Sequence, residues 1–357
     1  MVQPIHPWSP FPQDPAIPSP PGHTPAPRRD ISEIPDTPGD HTSALQRFVQ
    51  AHTAATDRST ATSVGSVSGS PSVAQIQARL DGFLASASPM YRTPEGNVRV
   101  AAPFRINGGY PNLESVVAGH EGTLRAVASR IGMPDGAVAL VKQGRGSPDQ
   151  VRQLTQGLID AGCLPPPSRG SLGKRVRQMM FDFGVGFDCA GYVRQAFSAA
   201  HPTAAVAWRL ASNEDLSGLG QRGLTRTTVD DARPGDMLVL KPPAPRQYGH
   251  TAVIYDSRSP TVADRKRLDE AAKKTASGAI AEMAGSAALR ILIVDSSFGS
   301  FGTARRGGVE RQMWVHDQVS GRWLSLEADD EADHVSLSEV FPYGHPVDGV
   351  YRAPSGS

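Results

Sequence analysis

The sequence predicts an α+β protein whose sheet is mostly antiparallel. Three observations predict it. Apolar residues recur at helical spacing between about 74 and 200. From 236 onward the pattern changes to short β-rich runs separated by turns. The helices precede the strands instead of alternating with them, which argues against a parallel βαβ sheet.

The first 42 residues hold 12 of the 31 prolines, and residues 53–73 run through Thr, Ser, Ala and Gly. Neither stretch has an apolar period, so 1–73 reads as a disordered tail with at most a short helix at 43–52. Residues 74–168 read as a helical region. AQIQARLDGFLASA is amphipathic, and PNLESVVAGHEGTLRAVASRIG has Asn112 as its candidate N-cap. In SPDQVRQLTQGLIDAG, Ser147 is the N-cap, Pro148 sits at N1 and Gln150 completes a capping box. Val151, Leu154, Leu158 and Ile159 share one face of it, and Gly162 stops it. Cys163 follows directly and reads as a structural thiol.

Residues 169–357 read as the principal domain. Leu172, Val176, Met179, Met180 and Phe183 make one helical face, read as core. A second helix starts at Cys189. The strands expected are MLVL (237–240), HTAVIYD (250–256), LRILIVD (289–295), VERQMWVHD (309–317) and RWLSLE (322–327), with a last strand in HPVDGVYRAP. Residues 261–288 look like a helical insertion, read as a solvated surface helix, as a lid over a groove or as a partner surface.

Net charge is +1, which gives no electrostatic case for nucleic acid or an anionic membrane. No apolar run has the length of a membrane span. The beginning, MVQPIHPWSPFPQDP, lacks the regions of a Sec signal, so the expectation is synthesis in the cytoplasm and, for action elsewhere, a non-Sec route. The two cysteines make no disulfide framework. No HExxH or CxxC pattern occurs, and GSLGK fails the P-loop spacing, so neither a metal nor a cofactor is expected.

The chemistry concentrates in GVGFDCAGYVRQAF. With Asp188 as N-cap, Cys189 lies in the first turn of its helix, where free N–H groups and the positive helix end stabilise a thiolate. Ala190 and Gly191 are small enough to let a substrate backbone approach. A nucleophilic thiolate needs a base and an orienting group for it. His250, at the start of a strand, is the candidate base. Asp295, at the end of the next strand, is the candidate orienter if the two strands pair in antiparallel fashion. Ser296 and Ser297 read as turn hydroxyls.

Three motifs in order, Asp188-Cys189-Ala190-Gly191, Arg233-Pro234-Gly235-Asp236-Met237 and HTAVIY from His250, resemble the NlpC/P60 family of cysteine peptidases. The likeness covers about 170–355. It implies a papain-like fold in which the helix bearing the nucleophile packs on the sheet. It implies a cysteine peptidase or amidase acting on cell-wall peptides through a Cys-His thiolate and a thioester, without a metal. Its partners would be a peptidoglycan peptide or another amide substrate, and, for an exported effector, an immunity or secretion protein. An acyltransferase, deamidase or protease acting on a non-wall substrate is the alternative, and an inactive binding domain is a second. The chain departs from the family in lacking the tyrosine-containing stretch before the cysteine, and Asp295 stands where the third polar residue is usually His, Asn or Gln. The Asp236 motif reads as scaffold.

Overall fold

The computed structural model describes residues 71–105, 111–204, 223–241, 249–274, 278–299, 307–329, 334–338 and 347–354. All belong to one of the chain's two units, Gly65–Ser357. The helix expected at 43–52 lies outside the described residues.

Helix α1 (Val73–Ser86) begins earlier than the sequence boundary at 73/74 suggests, because Ser72 and Gln75 form a capping box. A hairpin follows, β1 (Met90–Thr93) and β2 (Gly96–Arg99), inside the stretch read as purely helical. Its signal is the TPEG turn, where Gly96 takes φ 125°. Helix α2 (Pro111–Arg130) includes Asn112 in its first turn, so Asn112 is not its cap. Helices α3 (Asp135–Lys142) and α4 (Pro148–Asp160) come next, and α4 has the expected Ser147–Gln150 capping box with Pro148 at its start. The stop at Gly162, with φ 76°, also stands, and the Cys163 N–H donates back to the Leu158 carbonyl at 3.0 Å. Cys163 is a free, half-buried thiol packed on the core. Helices α5 (Leu172–Asp182) and α6 (Cys189–Ala200) complete the helical part.

The strands are β3 (Thr225–Thr227), β4 (Met237–Leu240), β5 (His250–Arg258), β6 (Leu289–Gly299), β7 (Gly307–Asp317), β8 (Trp323–Asp329), β9 (His334–Ser338) and β10 (Val347–Arg352). They form one eight-stranded sheet in the order β3-β10-β4-β5-β6-β7-β8-β9. Every neighbouring pair is antiparallel. The α+β class with an antiparallel sheet is therefore the observed one. The sheet curls, so that Leu238, Ile254, Leu292, Trp314, Trp323 and Val350 from six strands meet in one apolar cluster on its inner face.

The outer face carries α6. One core joins Leu80, Leu154, Met180 and Phe197 from the helices to Val253 and Tyr351 from the sheet. Residues 74–168 and 169–357 thus share a hydrophobic interior, so neither buries its apolar surface alone. Between β5 and β6 run α7 (Val262–Lys274) and α8 (Gly278–Ala284). Their Leu268 and Met283 pack on Ile291, Met313 and Val315. Ile291 faces Arg258 across the ladder, eight residues along β5 from His250, or about 26 Å at strand rise. The insertion therefore braces the far end of the strands, which overturns its reading as a lid.

The RPGD turn is scaffold, as its sequence suggests. Gly235 takes φ 87° and donates to the Ile254 carbonyl at 2.7 Å. The buried Asp236 accepts two hydrogen bonds from Arg352 of β10, at 3.0 and 2.7 Å, and one from the Arg233 N–H at 2.9 Å. Arg352→Ala leaves that carboxylate without its cation. The expected loss is about 3 kcal/mol of unfolding free energy in a denaturant titration, and Asp236→Asn should recover part of it.

Candidate functional site: a cysteine where two strands part

Asp188 is the N-cap of α6 and Cys189 its first residue, as the sequence predicts. The Asp188 side chain accepts the Gly191 N–H. The turn between α3 and α4 seats this end of the helix: the Asp188 N–H donates to the Gly144 carbonyl at 3.0 Å, and Gln195 Nε2 reaches the Gly146 carbonyl at 2.9 Å. A Cβ on Gly191 would lie 2.1 Å from the Gly144 oxygen. The backbone that needs Gly191 to be small is therefore the chain's own, which corrects its reading as room for a substrate.

Strand β5 reaches the same place from the other side. Ile254 exchanges hydrogen bonds on the β4 side, its N–H with the Asp236 carbonyl at 2.8 Å and its carbonyl with the Gly235 N–H at 2.7 Å. By strand alternation, Val253 and Thr251 direct their backbone groups toward β6. The β5–β6 register ends at Val253↔Asp295, while β4 remains paired to β5 as far as Leu240↔His250. The Thr251 N–H, at this parting of the strands, lies close enough to the Cys189 sulfur to draw its pKa down. The Thr251 carbonyl accepts Ser296 Oγ at 2.7 Å, and Ser297 Oγ donates to the Phe187 carbonyl at 2.8 Å. Both serines are fully buried and lie within β6, which runs on to Gly299. They are not turn residues, and sequence reasoning missed their role because D-S-S-F-G reads as a turn.

His250 opens β5, half-buried, with its ring toward the inner face of the curl. The ring centroid lies 5.2 Å from that of Phe298 and 6.2 Å from that of Trp314. The amide between His250 and Thr251 acts on the thiol, but the His250 ring lies on the face of the sheet opposite α6, so the structure does not bring the imidazole to the sulfur.

Asp295 does not fill the role expected of it. The two strands are antiparallel, as supposed, but Asp295 stands opposite Val253, an odd number of residues from His250. Period-two alternation sets it on the outer face, away from the His250 ring. There Arg311 of β7 takes both its oxygens, at 2.6 and 2.9 Å. Arg311 also bonds Asp81 of α1 at 2.8 Å and lies over the Tyr255 ring at 3.4 Å. Burial lifts the Asp295 carboxyl above the ordinary carboxylate range, and the Arg311 fork offsets part of that rise. Asp295 ties α1, β6 and β7 together.

The electrostatics also correct the expected thiolate. Burial, and next the Asp188 carboxylate, push the Cys189 thiol up to about 12, against the N–H groups of Thr251, Ala190 and Cys189 itself. At 4% exposure the resting group is a thiol. Burial likewise pushes Asp188 up to about 6, opposed by the Gly191 N–H and by Arg145 and Arg194. Arg145 Nε is 3.8 Å from its carboxylate, beyond hydrogen-bond length.

Among the described residues, no group of three His, Cys, Asp or Glu is arranged to hold a metal ion, and no helix is long and apolar enough to cross a membrane. Compared with protein-family models, curated proteins and solved structures, the chain matches none.

Two outcomes test this geometry. Asp188 binds its proton more tightly folded than unfolded, so its contribution to stability is full below about pH 4 and is lost as pH rises through about 6. Relative to Asp188→Asn, which does not titrate, the wild-type unfolding free energy should fall by about 2 kcal/mol between pH 4 and pH 7. Separately, Asp295→Ala leaves Arg311 only Asp81 and the Tyr255 ring and should cost about 3 kcal/mol. The double variant with Arg311→Ala should cost less than the two singles together, as a double-mutant cycle would read.

Proposed function

We propose that the chain is a cysteine hydrolase of NlpC/P60 type on a papain-like fold, cleaving amide bonds in the stem peptides of bacterial peptidoglycan. The supporting observation is that Cys189 opens a helix capped by Asp188, with the amide that follows His250 near enough to its sulfur to favour the thiolate. In this reading the first residues of β5 shift as the strands part further, the His250 imidazole leaves Phe298 for the sulfur, and it takes the thiol proton. The thiolate attacks the amide carbonyl carbon, and the Cys189 N–H steadies the oxyanion. Collapse breaks the C–N bond, and the imidazolium gives its proton to the leaving amine. Water, deprotonated by His250, then hydrolyses the thioester and restores the thiol. As a cleft opens, water and substrate relieve the burial that holds the thiol high, and its pKa falls. A wall substrate fits an exported effector.

A second reading has its own support: a sulfur buried at 4% exposure with a pKa near 12 suits a catalytically silent binding domain. Incubating purified peptidoglycan with wild type, Cys189→Ala and His250→Ala, with mass spectrometry of the released fragments, separates the two. The hydrolase reading expects fragments from wild type, none from Cys189→Ala, and release slowed about 10²–10⁴-fold in His250→Ala. Equal silence from all three, with Cys189 still labelled by a thiol probe, moves the assignment to a non-wall amide or acyl substrate. Silence with an inert thiol leaves the binding domain.

A further inference from the structure

Strands β5 and β6 part beyond Val253↔Asp295, yet β6 stays paired to β7 as far as Gly299↔Gly307. Two buried hydroxyls occupy the parting. Ser296 Oγ donates to Thr251 and so holds the first peptides of β5. Ser297 Oγ donates to Phe187, in the loop that delivers Asp188 and Cys189. The two residues are adjacent on a strand and point to opposite faces. A single rigid segment therefore fixes both sides of the thiol contact, the donor amide from β5 and the sulfur from α6.

We infer that Ser296 and Ser297 are positioning residues, a paired clamp that holds the Thr251 N–H on the Cys189 sulfur. The inference deepens the hydrolase reading and rests on it for its catalytic meaning. The geometry of the clamp can be tested without any substrate. Ordinary ladder bonds at these positions would close β5 onto β6 and leave no room for sulfur. Ser296 Oγ takes the Thr251 carbonyl instead, Ser297 Oγ takes the Phe187 carbonyl, and the Thr251 N–H stays beside the thiol.

The experiment uses the full chain with Cys163→Ala, so that Cys189 is its one thiol. Into this background go Ser296→Ala, Ser297→Ala and, as a remote control, Thr155→Val. Thr155 loses a buried hydroxyl that bonds Val151 at 2.8 Å, far from the sulfur in the fold. The readouts are the infrared S–H stretching band, which reports hydrogen bonding at the sulfur, and hydrogen exchange of the Thr251 amide. The clamp predicts a shifted S–H band in both serine variants and Thr251 exchange faster by about tenfold. The control should lose comparable global stability and change neither readout. An unshifted band and unchanged exchange in both serine variants, or equal changes in the control, overturn the clamp. Should one serine variant fail to fold, the other decides. Failure of peptidoglycan cleavage would leave these readouts untouched, so the two ideas fail separately.

Discussion

The site depends on one close approach, the carbonyl of Gly144 against the first turn of α6. That oxygen accepts the Asp188 N–H and lies where a Cβ on Gly191 would collide with it. Gly144 meets the demand with a left-handed φ of 72°, which lets the turn after α3 double back. Once the turn is seated, the start of α6 is fixed in position and direction, and with it Cys189. The N-terminal helices are thus not an appendage. They hold the nucleophile candidate from behind while β5 and β6 hold it from in front.

The buried acids around this frame differ in how their charge is met. Asp236 and Asp295 each face a bidentate arginine, from β10 and β7 respectively. Those pairs join strands and helices distant in sequence, and removing one member of such a pair is costly. Asp188 has no such fork. It serves the backbone at Gly191, and its nearest guanidinium stays at 3.8 Å. Of the three it is the acid best placed to change charge near neutral pH, and its charge acts directly on the adjacent thiol.

The sequence made legible whatever local chemistry decides. The capping boxes at Ser72 and Ser147 follow from residues within one turn, although only the second was read. The Asp188 cap and the places of most strands along the chain belong to the same kind. The misses share a cause in long-range placement. Gly191 is recognisably constrained, but the neighbour that constrains it lies some fifty residues upstream. Asp295 was paired with the right strand and set on the wrong face, because a register one residue out reverses every side chain. Ser296 and Ser297 have turn-forming side chains, and only the parting of β5 from β6 gives them buried partners.

The thiol presents a conflict that bears on what the site is for. A cysteine kept as a small core hydrophobe asks for apolar neighbours and no donors. Cys189 instead has the N–H groups of Thr251, Ala190 and its own residue near enough to its sulfur to draw its pKa down. Sulfur in a neutral thiol is a weak acceptor, so directing the Thr251 N–H at it forgoes the stronger bond that a ladder carbonyl on β6 would supply. Burial raises the thiol to about 12, and the same donors are what would stabilise the anion once water or substrate lowers that barrier. The cost of the arrangement is borne by the resting state, and its benefit exists only for a charged sulfur. Packing alone gives no reason to open a strand pair for a thiol. A charge on the sulfur would.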